Sequence, residues 1–249
     1  MLEFLLATNQ SFTPSLRHLD IRADYLDGFD WDERGGSYYS DGIRKVLRRC
    51  AKELERLYIW TDGVLPAPGN VLSLPSLIEY VGPHDFLYGL SMTNTVRTIW
   101  VPAPLESPSS LTQRLSDCFG GTMSGLSLKH LSVLQWHASD VTIEGLFTLF
   151  PRLEDLSIQL VSQISKADLL ALKAPIGRLR CLRGISIVAV TGHILSLDYM
   201  EAIAETWRSV CRTICYVRLD PRTKLVWKDG PDVWEYVEQG YDVHNLLFF

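Results

Sequence analysis

Apolar and polar positions alternate along this chain in a short recurring phrase, clearest in Pro151-Arg-Leu-Glu-Asp-Leu-Ser-Ile158. Read as a strand, it points Leu156 and Ile158 to one face of the pleat and Ser157 and Gln159 to the other. The residues before it have a different period. Ile143, Leu146, Phe147 and Phe150 fall on one helical stripe, with Ser139 or Asp140 placed to cap the first turn. Helix, proline and short strand together make one unit that cannot bury its apolar side alone. Its recurrence predicts a solenoid.

The phrase recurs along the chain. Leu16-x-x-Leu19-x-Ile21, Leu54-x-x-Leu57-x-Ile59, Val96-x-x-Ile99-x-Val101, Leu128-x-x-Leu131-x-Val133, Leu182-x-x-Ile185-x-Ile187 and Ile214-x-x-Val217-x-Leu219 repeat it, and Leu77-x-x-Tyr80-x-Gly82 is a weaker copy. The spacing is uneven, from 19 residues (Leu77 to Val96) to 38 (Leu16 to Leu54), which calls for insertions. A second column supports the register. The residue after the first apolar position is Arg17, Glu55, Arg97, Lys129, Glu154 or Arg183 in six copies, as a solvent-facing column requires.

Between the copies the pattern predicts a helix from Ile43 to Leu54, capped by Ser40 or Asp41, with Arg44, Lys45, Arg48, Arg49 and Lys52 on its solvated side. Further helices are expected at 111–119, at 142–150, at 166–173 with Ser165 as cap, and at 197–211 with Ser196 as cap. The stretches 61–75 and 102–110 are proline-rich and read as extended outer turns. Lys224-Leu-Val-Trp227 and Val233-Trp-Glu-Tyr-Val237 flank Lys228-Asp-Gly-Pro-Asp232 and predict a terminal hairpin, although Pro231 and Asp232 suit a helix start equally well. Residues 1–220 are thus expected to form the solenoid, and 221–249 a capping hairpin and tail of the same domain. Leu246 to Phe249 would pack beneath that cap. Leu2, Leu5 and Leu6 read as the tail of a helix running straight into the first strand, a makeshift cap or the interior of a longer array.

Composition narrows the function. At 249 residues and 47% hydrophobic content the chain can bury a sizeable core, and a net charge of −5 argues against a nucleic-acid partner. The five cysteines are scattered without a C-x-x-C or Cys/His cluster, so reduced core thiols in the cytoplasm or nucleus are expected. No run is long enough for a membrane span. Phosphate-cradling loops, H-E-x-x-H and G-x-S-x-G are missing, and Gly120-Gly-Thr-Met-Ser-Gly125 leads into a strand and reads as a turn. His18 and His130 sit at the third position of their copies, on the exposed sheet surface and too far apart to share a metal. Glu154 and Asp155 are neighbours on a strand, so they face opposite ways. No cofactor and no catalytic residue is expected.

What remains is a surface. Between the second and third apolar positions stand Asp20, Tyr58, Trp100, Ser132, Ser157, Ser186 and Arg218, with Arg22, Trp60 and Gln159 continuing the same face. Tyrosine, tryptophan and arginine dominate binding hot spots because they join large contact area to a polar handle. The loop from Asp24 to Tyr39, carrying Trp31 among five acidic residues, is long enough either to fold over the sheet edge or to touch a partner. The residues expected to bind a partner are Tyr58, Trp60, Trp100, Asp20, Arg22, Gln159 and Trp31.

The P-x-L-x-x-L-x-I strands (Pro14 to Ile21, Pro151 to Ile158), the uneven repeat lengths and the Trp-containing tail (Leu225 to Val237) resemble the leucine-rich-repeat regions of fungal F-box proteins. The resemblance runs from Pro14 to Val237. It implies an α/β solenoid with one curved parallel sheet and outer helices, acting as the substrate-receptor half of a ubiquitin ligase. In that family a separate amino-terminal F-box binds a Skp-type adaptor; nothing before Pro14 is long enough for one, so the adaptor is expected only if an F-box lies upstream. The expected function is non-catalytic recognition of a protein on the concave face, without nucleic acid or membrane. The alternatives are an enzyme with a loop-built site at the sheet edge, or a truncated remnant with no independent function.

Overall fold

The computed structural model describes residues 16–23, 45–61, 72–83, 87, 90–91, 95–101, 115–116, 128–136, 143–161, 164–189, 195–230 and 232–238. The chain is mixed α/β, and its strands are mostly parallel. It divides into two compact units, one holding the described strands up to residue 101 and the other those from residue 130 onward.

In the first unit β1 (His18–Ala23), β2 (Arg56–Thr61), β4 (Glu79–Val81) and β6 (Thr98–Val101) pair in parallel in that order. Leu19, Leu57, Tyr80 and Ile99, the second apolar position of four successive copies, stand in one register row. All four are buried. The short β3 (Leu72–Ser73), inside the stretch 61–75 expected to be an extended turn, forms a separate parallel pair with β5 (Leu90–Ser91), for which the sequence pattern predicts no element. A helix covers residues 45–50, and Val46, Leu47 and Cys50 are buried while Lys45, Arg48 and Arg49 are exposed, as the helical stripe predicts. Its expected caps and Ile43 lie outside the described residues.

The second unit starts with β7 (His130–Trp136) and continues through β8 (Asp155–Leu160), β9 (Gly184–Ala189) and β10 (Tyr216–Arg218), all parallel. Leu131, Leu156, Ile185 and Val217 form its buried register row. Between these strands lie α1 (Ile143–Leu149), α2 (Lys166–Ala171), α3 (Lys173–Ile176) and α4 (Leu197–Arg208). They add Ile143, Leu146, Phe147, Leu169, Ile176, Met200, Ile203 and Trp207 to the core. Each such aliphatic side chain contributes about 1.5–3 kcal/mol by leaving water. The fully buried Trp207 also donates its Nε1–H to Leu169 O at 3.0 Å, which satisfies its one polar atom.

The eight copies of the sequence phrase all become strand, and the backbone repeats with them. Within each unit, two consecutive amides of each later copy donate to one carbonyl of the copy before. In the first unit Glu55 and Arg56 donate to Arg17 O, Ile78 and Glu79 to Glu55 O, and Arg97 and Thr98 to Ile78 O. In the second, Glu154 and Asp155 donate to Lys129 O, Arg183 and Gly184 to Glu154 O, and Cys215 and Tyr216 to Arg183 O. The accepting residues are members of the charged column, or Ile78 in its place. That column is exposed or half-buried throughout, and it carries ion pairs between Arg17 and Glu55 (3.5 Å) and between Lys129 and Glu154.

Beyond β10 the chain reverses. β11 (Thr223–Lys228) and β12 (Val233–Glu238) form the expected antiparallel hairpin, not the helix that Pro231 and Asp232 also allowed. Asp232 takes a positive φ of 59° at its turn. Trp227 and Trp234 face each other across it, edge to face at 5.1 Å. Arg208 of α4 stacks on Trp227 at 3.9 Å and pairs with Asp229 of the turn at 3.6 Å, and the Tyr236 hydroxyl donates to Glu201 at 2.6 Å, so these contacts tie the hairpin to the last helix. Leu246 to Phe249, assigned to the cap, lie outside the described residues.

Three local expectations need correcting. The helix read as 166–173 breaks at Leu172 into α2 and α3. Ser165 caps α2 by accepting from Asp168 N, whereas Ser196 occupies the N-cap of α4 without a side-chain hydrogen bond. Cys50 and Cys211 are buried thiols as expected, but Cys181 is exposed, because it lies in the turn before β9 and not on an apolar face.

Candidate functional site

Alternation along each strand puts every second side chain on the face opposite the apolar rows. In the first unit that face carries Asp20, Tyr58, Val81 and Trp100 in one register row, with Arg22 and Trp60 paired in the next. Five of the seven residues expected to bind a partner therefore stand together: Asp20, Arg22, Tyr58, Trp60 and Trp100. Asp20 and Arg22 form an exposed ion pair at 3.3 Å, worth little to stability and reachable by a partner. Tyr58 packs edge-on against His18 with ring centroids 4.7 Å apart. Burial, and then the Glu79 carboxylate beside it, push the Tyr58 hydroxyl above its ordinary value, so it stays a protonated donor. Glu79 is also held by Arg56 at 3.6 Å.

The aromatic patch is less open than the sequence suggests. Trp100 is only 5% exposed, and Trp60 is half-buried. The two indoles meet edge to face at 5.2 Å, so each covers part of the other. Trp60 Nε1 is buried and makes no hydrogen bond among the described residues. Tyr58, Trp60 and the Asp20–Arg22 pair form the accessible part, with Trp100 as their support. Gln159 belongs to the second unit, half-buried on β8 beside Val188. Trp31 and the rest of the Asp24 to Tyr39 loop lie outside the described residues.

The corresponding face of the second unit carries a constellation that the sequence did not reveal. His130, Asp155, Gly184 and Tyr216 share one register row across four strands. His130 Nδ1 lies 2.7 Å from one Asp155 oxygen, and the Tyr216 hydroxyl donates to the other at 2.6 Å. Tyr216 reaches that oxygen by lying across β9, where a methyl group on Gly184 would overlap its ring. Burial, with the Asp155 charge and hydrogen bond next, raises the Tyr216 hydroxyl far above its ordinary value and fixes it as a donor. The Lys224 ammonium sits 4.0 Å from the centroid of the same ring. The signal in the sequence is Gly184 itself: a glycine inside a strand marks a close approach, here by the aromatic residue of the next copy.

The next row holds Ser132, Ser157, Ser186 and Arg218, paired onward to Lys224. Expected on an open inner face, the three serines and Arg218 are instead buried, between 5% and 8% exposed. Short side chains set between the longer residues of adjoining rows lose most of their access to water. Arg218 donates to Asp220 O at 3.4 Å and to Pro221 O at 2.5 Å.

Chemically, Asp155 has both oxygens engaged and Tyr216 is held protonated, so neither is poised to remove a proton. His130 Nε2 makes no hydrogen bond to a nucleophile among the described residues. No group of three His, Cys, Asp or Glu residues suited to a metal ion occurs among the described residues, and no helix there is long and apolar enough to cross a membrane. No protein-family model matches the chain, and no curated protein matches it.

Proposed function

We propose that this protein is a non-catalytic recognition module, built of leucine-rich-repeat-like solenoid turns, that takes a protein partner on the polar face of its sheet. The observation that carries the reading is the clustering, on one face and in successive repeats, of Tyr58 and Trp60 beside the exposed Asp20–Arg22 pair. Large aromatic side chains with a charged rim make a hot spot and its surround. The recurring carbonyl that accepts two amides supports the repeat part of the reading. Within it, the resemblance to fungal F-box proteins makes the face a substrate receptor for ubiquitination, with a Skp-type adaptor as a partner only if an F-box lies upstream. Placement in cytoplasm or nucleus is the reading that the five scattered cysteines support.

The test is capture from a cell extract with the wild-type chain and with Tyr58→Ala/Trp60→Ala. Partners retained by the wild type should be lost by the variant while its melting transition stays cooperative. Equal recovery of every partner would sink the reading. One observation favours an enzyme instead, the His130–Asp155 pair with its remaining ring nitrogen uncommitted among the described residues. A small-molecule panel that raises the melting temperature of the wild type but not of His130→Gln would support that rival.

A further inference from the structure

We infer that the outer edge of β12 in the second unit takes up an extended, lysine- or arginine-rich peptide as an added strand, a docking site separate from the face that carries Tyr58 and Trp60. β12 ends the sheet: β11 pairs with it on one side, and no strand lies on the other among the described residues. The unpaired backbone groups of such an edge are a template for another chain. Native edges are blunted by proline, lysine or a bulge. Val233-Trp-Glu-Tyr-Val-Glu238 has none of these, and its six residues pair with β11 in unbroken register.

Three side-chain features mark the same edge as a contact surface. An open groove of about 670 Å³ is lined by Lys228, Val233, Trp234, Glu235 and Tyr236. Val233 and Glu235 point to one face of the strand and Trp234 and Tyr236 to the other, so a groove touching all four runs along an edge. The inner edge is filled by β11, which leaves the outer one. Second, Val233 and Tyr236 are 48% and 40% exposed, two large side chains presented to water from one strand. Third, Trp234 is only 5% exposed, yet its buried Nε1–H has no acceptor among the described residues. A buried donor without a partner is rare in a folded protein and calls for an explanation. An extended chain laid in the groove brings carbonyl oxygens to it.

Charge decides what that chain must be. Asp198, Glu201 and Glu205 recur on one side of α4, and Tyr236 hydrogen-bonds Glu201 and feels the charges of the other two. Glu235 and Glu238 add carboxylates from β12 itself. The nearby cations are already committed, Lys228 to Glu235 at 2.8 Å and Arg208 to Asp229 at 3.6 Å. Asp198, Glu205 and Glu238 make no ion pair among the described residues. A cationic strand supplies what this rim lacks, whereas a second copy of β12 would set carboxylates against carboxylates.

The experiment is calorimetric titration of the full chain with the end-blocked peptide Lys-Val-Lys-Val-Lys-Val-Lys, and with Lys-Pro and Glu-Val peptides of the same pattern. The Lys-Val peptide should bind saturably. The Lys-Pro peptide, equal in charge but with prolines that cannot donate to a ladder, should bind at least about tenfold more weakly, and the Glu-Val peptide should not bind. Val233→Lys, an exposed change that puts the usual guard on the edge, should weaken the Lys-Val peptide by about tenfold. Glu238→Lys should weaken it by about fivefold, the reversal of one rim charge. Tyr58→Ala/Trp60→Ala should leave it unchanged, so this site and the recognition face fail separately. No saturable heat, equal affinity for the Lys-Val and Lys-Pro peptides, or indifference to Val233→Lys would overturn the inference. Binding that emerges only after removal of residues 239–249 would also overturn it, by assigning the edge to the chain's own following segment. A dimer of the free chain that Val233→Lys dissociates would do the same, by assigning the edge to a second copy.

Discussion

Gly184→Ala puts the reading of the second unit at greatest risk. The added methyl group has nowhere to go, because the Tyr216 ring lies against the glycine. Tyr216 must swing away, and the swing breaks its 2.6 Å hydrogen bond to Asp155 and removes the ring from under Lys224. Overpacking alone costs about 1–3 kcal/mol. Losing a hydrogen bond to a charged, part-buried carboxylate adds about 1.5–3 kcal/mol. The sum is a loss of about 2.5–6 kcal/mol, read as a lower urea midpoint at unchanged slope. The same substitution in a Tyr216→Ala background should cost nothing, or even stabilise by about 0.5–1 kcal/mol, since alanine is favoured over glycine inside a strand. A penalty below about 1 kcal/mol in the wild type, or an equal penalty in both backgrounds, would refute the claim that Gly184 is there to let Tyr216 cross β9.

Other consequences can be checked singly. Trp207→Phe should destabilise by about 2–4 kcal/mol in urea, because it leaves a cavity and takes from Leu169 O the shorter of its two hydrogen bonds. Ser165→Ala should cost about 1 kcal/mol and Ser196→Ala less than about 0.5, since only the first makes a capping bond; equal losses would contradict the cap assignment. The hydrogen bond to Glu201, followed by burial, pushes the Tyr236 hydroxyl up to about 12 from its ordinary 10.0. Its folded value is raised, so the bond stabilises fully below pH 10 and is lost as pH climbs through about 12. Ultraviolet titration of wild type against Tyr236→Phe should therefore differ by one tyrosine ionising near 12, and a difference near 10 would refute the contact.

The parallel strands were legible because their signal is local. A two-residue alternation such as Leu57–Ile59 or Leu156–Ile158 declares which side is buried, and a charged residue at a fixed offset declares which backbone positions face water. The hairpin was legible for the same reason, from aromatic runs around a turn. Burial on the polar face was not. Whether Trp100 or Ser186 reaches water depends on the neighbours that register brings alongside, and these are tens of residues away in sequence. The His130–Asp155–Tyr216 row shows this most clearly. Its members come from three separate copies, and the contact exists only because a fourth copy contributes a glycine. Read one strand at a time, each looked like an ordinary surface residue.

The central claim is that the polar sheet face, not the outward charged column, recognises a protein. It is tested most directly by the dissociation constant of a captured partner for single alanine variants on the two sides of the first unit. Trp60→Ala and Tyr58→Ala should each weaken binding by more than about tenfold, the scale of a hot-spot residue. Arg17→Ala and Arg97→Ala, exposed in the outward column, should change it by less than about twofold. Losses confined to Arg17 and Arg97, with Tyr58 and Trp60 silent, would contradict the account.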